Sequence, residues 1–81
     1  MKAKLHSLQE QIATLAEMPT NDFMQLVEVL QKFEPIIQEM DSLKKKIKGL
    51  PALERAEITL LYKETEKKMR ALQKKIDKLE F

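Results

Sequence analysis

A chain of 81 residues with no cysteine, one glycine and 35% charged side chains has no thiols for a disulfide framework or a thiolate metal site. It also has no apolar run of the length of a signal-peptide core or a membrane span. The formal charge of +2 conceals three lysines against seven acids in residues 1–42, a net of −4, and twelve Lys/Arg against six acids in residues 43–81, a net of +6.

Ala, Leu, Glu, Lys, Gln, Arg and Met dominate the rest, and these are the strong helix formers. In the first segment, residues 2–17, the apolar residues Met1, Leu5, Leu8, Ile12, Leu15 and Met18 step by 4-3-4-3-3. Alternating steps of three and four put them on one stripe of an α-helix. Ser7 with Glu10 has the spacing of a capping box, which offers Ser7 as an alternative start. Pro19 disfavours helical geometry at Met18 and ends the segment. Thr20, Asn21 and Asp22 are all good N-caps for a second helix, and Asp22 with Gln25 resembles a capping box.

The second segment, residues 22–48, carries Phe23, Leu26, Leu30, Phe33, Ile37 and Met40 at steps of 3-4-3-4-3, continued by Leu43, Ile47 and Leu50. Pro35 lies inside it. An interior proline removes one backbone hydrogen bond and bends the helix, yet the stepping continues past it, so the expectation is one helix kinked at Pro35. Lys44, Lys45, Lys46 and Lys48 occupy the last turns, where cations favour the negative end of the helix dipole.

Gly49-Leu50-Pro51 reads as a tight turn, with Gly49 in a left-handed C′ position and Pro51 in the first turn of the next helix. The third segment, residues 52–79, carries Ile58, Tyr62, Thr65, Met69, Leu72, Ile76 and Leu79 at steps of 4-3-4-3-4-3. Glu64–Lys68 and Glu66–Arg70 mark its solvated face. The short turn makes the second and third helices antiparallel. Pairing about the turn brings Ile47 to Leu53, Met40 to Leu60, Leu30 to Met69 and Phe23 to Ile76. It also brings Glu28, Glu34 and Glu39 within reach of Lys63, Lys67, Lys68, Arg70 and Lys74. The expected fold is all-α: one domain over residues 1–81, a long antiparallel helical hairpin of coiled-coil type with a short N-terminal third helix.

Length then suggests a binding surface. The two long helices each span on the order of 40 Å, the first only about 24 Å. Folding back after Pro19, the first helix is expected to cover the open end of the hairpin and to stop short of Gly49. Ile36, Ile37, Met40, Leu43, Ile47, Leu53, Ile58, Leu60 and Leu61 crowd that two-helix bend and cannot all be hidden by it. These, with Met69 and Leu72 further along, form the expected partner-binding set, since exposed apolar patches mark interaction sites.

Reactive groups are sparse. His6 is the only histidine, so the sequence provides no metal site. Gly49 stands alone, with no glycine-rich loop to cradle phosphate. Ser7 and Ser42 have no base or orienting group, and Glu54 and Glu57 sit among lysines on a helix face. No catalytic, cofactor or metal residue is assigned, and the chain is expected not to be an enzyme. Phe23, Phe33, Tyr62 and Phe81 are the only aromatics, and they do not interleave with the lysines as a nucleic-acid surface requires.

Two stretches resemble a known family. Asp22-Phe23-Met24-Gln25-Leu26 through Glu34-Pro35-Ile36-Ile37 resembles the second helix of FliT-type flagellar export chaperones, and Leu53-Glu54-Arg55-Ala56-Glu57-Ile58 through Leu79 resembles the long helix after their hairpin turn. The resemblance covers residues 5–79 and rests on helical patterning. It implies a bacterial cytoplasmic chaperone that covers an amphipathic helix of a secreted filament subunit and presents it for export, with Leu60, Leu61, Met69 and Leu72 as client contacts. Small chaperones of needle-type secretion systems look similar at this level. The chain is shorter than many members, and on that comparison the terminal helix that shields the client groove is expected to be missing. The expected function is therefore a cytoplasmic, non-catalytic module for an amphipathic helix. The alternatives are a self-associating coiled coil and a basic nucleic-acid accessory.

Overall fold

A computed structural model describes residues 1–79 as three helices: α1 (Lys2–Glu17), α2 (Phe23–Ile47) and α3 (Ala52–Asp77). Phe81, the last aromatic of the sequence, lies outside the described residues. The molecule is a rod with principal extents of 46 × 18 × 16 Å, as three helices running up, down and up produce. No helix among the described residues is long and apolar enough to cross a membrane.

Local signals set the ends. Asp22 caps α2 by accepting from the Gln25 backbone N–H at 2.8 Å, and the Gln25 side chain reaches back to the Asn21 N–H at 2.7 Å. That is the expected box, with its return bond one residue earlier than the standard arrangement. The Ser7 box does not form: α1 is already helical at Lys2, and Ser7 accepts from Gln11 instead. Lys75 of α3 supplies the C-terminal cap of α1, donating to the Ala16 carbonyl. α2 is unbroken from Phe23 to Ile47, with Pro35 on its solvent side. At the bend no residue has a positive φ. Gly49 is therefore not in the left-handed conformation expected of it, because Lys48 closes α2 in ordinary helical geometry and the turn is made by Gly49 and Leu50 N–H bonds to Lys46 and Ile47 at 3.1 Å. Pro51 is the N-cap of α3, just outside its first turn.

The core is assembled from one stripe per helix. α1 contributes Leu5, Leu8, Ile12 and Leu15, and α3 contributes Ile58, Tyr62, Thr65, Leu72 and Ile76. Both coincide with the sequence ladders. α2 differs. Its buried line is Val29, Phe33, Ile36, Met40, Leu43 and Ile47, which steps by 4-3-4-3-4 and passes one residue to the side of Leu30 and Ile37. The two lines share Phe33 and Met40, and the choice between Val29 and Leu30 and between Ile36 and Ile37 falls to the residue that faces both neighbours.

α1 does not lie where the length argument puts it. It runs parallel to α3: Lys2 pairs with Glu57 at 3.1 Å, Gln9 donates to Thr65 at 2.9 Å, and Ala16 meets Lys75. Lys4 pairs with Glu39 of α2 at 2.8 Å. The start of α1 borders Leu50, Glu54 and Ile58. α1 therefore reaches the bend, and the exposed overhang is at the opposite end, around Phe23 and Met24. The reason is the connection. Met18 is extended, and the crossing through residue 22 carries the chain far enough down the hairpin that sixteen residues suffice. The expected acid–base pairs between α2 and α3 are likewise absent among the described residues. Glu39 turns to α1, and Glu28 pairs with its own Lys32 at 3.3 Å.

Thr65 is the one buried polar side chain among the described residues. Its hydroxyl donates to the Leu61 carbonyl and accepts from Gln9, both at 2.9 Å, so no donor or acceptor is left unpaired. A satisfied polar contact in an apolar seam fixes which residues of α1 and α3 lie opposite each other.

Candidate functional site

Because α1 reaches the bend, five of the partner residues expected there are enclosed inside the molecule, and Leu72 further along α3 is enclosed too. Ile36, Met40, Leu43, Ile47, Ile58 and Leu72 are all buried in the single core. Leu61 and Met69 are half-buried against it. Only Ile37, Leu53 and Leu60 stay in water. The expectation that the bend is two helices wide fails for a packing reason: Met1, Lys2 and Ala3 supply the third wall there.

Apart from Met1 and Met24, the exposed large apolar residues fall into two groups. Leu53 and Leu60 are 85% and 68% exposed. They are seven residues apart on the side of α3 turned away from the core. The second group is on α2: Phe23, Leu30 and Ile37, 64%, 41% and 40% exposed. These three are also spaced by seven, so they form one line along the helix. Leu30 and Ile37 line a cleft with Phe33, Glu34 and Gln38 of α2 and Gln73 of α3. That cleft opens on the face of the α2/α3 pair away from α1, since α1 meets α2 on its Lys32–Ile36 side.

Continuing the line by seven gives Lys44. From Ile37 onward the α2/α3 groove becomes cationic. Its bend end is a cleft of about 330 Å³ lined by Lys44, Lys48, Arg55 and Lys63, with Glu66 as its one carboxylate and Thr59 and Tyr62 as neutral hydroxyls. Ile47 forms part of its floor. Burial, with Glu66 and Asp41 nearby, raises the Tyr62 phenol above its ordinary 10.0, against a smaller opposing effect of Arg70. Tyr62 is therefore a neutral hydrogen-bonding group at any physiological pH.

A larger cleft separates α1 from α2, with Ser7, Glu10, Gln11, Thr14, Gln31 and Lys32 along its rim. Its apolar members are Leu15 and Ile36, which are buried, Met18, which is half-buried, and Pro35, which is exposed. They form no heptad line on either helix. No group of three His, Cys, Asp or Glu side chains that could hold a metal ion occurs among the described residues.

Periodicity places Phe23 and Leu30 in the core, and their exposure is what sequence reasoning missed. A signal was present. The doublet Val29-Leu30 and the doublet Ile36-Ile37 each offer two residues for one inward position, and adjacent residues on a helix point about 100° apart.

Comparison of the chain with protein-family models, with characterised proteins and with solved structures found no match.

Proposed function

We propose that this chain is a non-catalytic protein-binding module that holds an amphipathic helix in the α2/α3 groove. The observation that carries the reading is the second apolar line of α2, Phe23–Leu30–Ile37, exposed beside α3 after the core is complete. A docked helix gains a dry seam from it, by the same heptad logic that joins α1 to the bundle. Three partly exposed side chains contribute roughly 2–5 kcal/mol in area terms, so binding by this seam alone is weak and readily reversible. Reversible cover of a helix suits a cytoplasmic chaperone that releases its client, and the resemblance to FliT-type export chaperones supports that form of the module, with a secreted or flagellar subunit as client.

The probe is a synthetic helix of about eighteen residues (about 27 Å) with leucine at heptad positions and neutral residues elsewhere. Titrated into labelled protein, it is expected to shift the amide resonances of Leu30, Ile37 and Gln73. The Leu30→Glu/Ile37→Glu variant is expected to keep its helicity, because both sites are solvent-facing, and to lose those shifts. Unchanged spectra on titration, or equal binding by the double variant, overturn the reading. Sedimentation over a range of concentrations tests self-association: a dimer that the double variant abolishes makes a second copy the occupant instead.

A further inference from the structure

The two halves of the α2/α3 groove differ in chemistry, and the difference specifies an occupant. We infer that the bend end of the groove is an acid-recognition element, so that the docked helix carries its carboxylates over Lys44, Lys48, Arg55 and Lys63 and its apolar face over Leu30 and Ile37. The inference rests on the helix-binding reading above and adds the partner's charge and direction.

Three observations support it. First, the cations of this cleft are not neutralised from within. Lys2, Lys4, Lys32 and Arg70 have carboxylate partners within 3.4 Å, whereas none of Lys44, Lys48, Arg55 and Lys63 makes an ion pair among the described residues. Glu66 on the wall is engaged by Arg70, and Asp41, the other acid close to Tyr62, forms no ion pair with any of these four cations among the described residues. Second, the helix dipole does not account for all of them. Lysines at the C-terminal end of α2 offset its negative pole, but Arg55 is in the opening turns of α3 and Lys63 in its first half, where the dipole opposes or ignores a cation. Third, the cleft has an apolar floor, Ile47, and neutral donors on Thr59 and Tyr62. Carboxylates on a helix that also buries leucines satisfy both parts of such a site.

A nucleic acid fits less well. Tyr62, the only aromatic of the cleft, is buried and so gives no stacking surface for bases. Electrostatic attraction of this kind selects and orients partners more than it tightens them, which suits a groove whose apolar half is short.

The test uses the whole protein and two versions of the synthetic helix, one with glutamates grouped in one half and one with lysines there. A nitroxide label is placed at the charged end. The glutamate helix is expected to bind about tenfold more tightly than the neutral helix, which is what a few solvent-exposed charge pairs supply. That advantage is expected to disappear as salt rises from about 0.05 to about 0.5 M, and in the Lys44→Glu/Lys63→Glu variant. The label is expected to broaden Lys48 and Arg55 and to spare Phe23. Equal binding of glutamate and lysine helices, or broadening at the Phe23 end, overturns acid recognition while leaving helix binding intact. Failure of every helix to bind overturns both. Shifts at Lys44 and Arg55 from an oligothymidylate, with no charge preference among the helices, assign the basic end to phosphodiesters and overturn the inference.

Discussion

α2 carries two apolar lines that differ by a single residue of register, and their fates are opposite. Val29, Phe33, Ile36, Met40, Leu43 and Ile47 are buried between α1 and α3; Phe23, Leu30 and Ile37 face water. Composition does not distinguish them, since both are built from large apolar side chains. What separates them is position relative to the other helices. A three-helix bundle closes one seam on each member, so a helix with two seams keeps one open. The lesson is that apolar periodicity counts the faces a helix could bury, while the number of neighbours decides how many it does.

The sharpest way to break this comparison is to truncate one residue from each line. Phe33→Ala removes a fully buried ring and is expected to cost about 3–5 kcal/mol; Leu30→Ala, already two-fifths exposed, is expected to cost less than about 1 kcal/mol. Urea unfolding followed by circular dichroism measures both, and similar losses would mean that the outer line is part of the core. A smaller effect is expected at Tyr62, which borders both the core and the groove. Its raised pKa favours the neutral phenol in the folded state. That contribution to stability is complete below pH 10 and is lost as pH climbs through the raised value. The chain has one tyrosine and no tryptophan, so the near-ultraviolet absorbance of the phenolate follows this group alone. Its midpoint in the folded protein is expected above that in urea, and coincident midpoints would contradict burial of the ring. The smallest effect is at the turn that aligns the two long helices. Gly49 has no positive φ, and an added Cβ would meet nothing closer than the Lys46 carbonyl at 3.6 Å. Gly49→Ala is expected to stabilise by about 0.4–1 kcal/mol through the unfolded chain, and a loss of stability would show that the turn needs glycine after all.

Much of the fold is legible in the sequence. The ladders of α1 and α3, the Asp22–Gln25 cap and the breaks at Pro19 and Gly49 each have a local cause that acts within a few residues. The choice of line on α2 is not legible, because Leu30 and Val29 satisfy helical periodicity equally well and only tertiary contacts choose between them. Nor is the position of α1, because helix lengths alone do not say how far the extended residues after Met18 carry the chain along the hairpin. That one displacement buries five of the nine contact residues expected at the bend. Ile37, Leu53 and Leu60 remain exposed. The cationic end of the groove is visible in the sequence as the Lys44–Lys48 run, but the dipole of α2 explains that run too readily for a second role to be suspected.

The pairing of Gln9 with Thr65 has a consequence for anything that settles on the far side. Sliding α1 by one heptad along α3 would push the Gln9 amide against Ile58 or Leu72 and strip it of its partner, so intermediate or shifted alignments are penalised. The seam between α1 and α3 is thereby keyed like a lock bolt, and α3 offers any incoming segment a wall whose register on α1 is fixed.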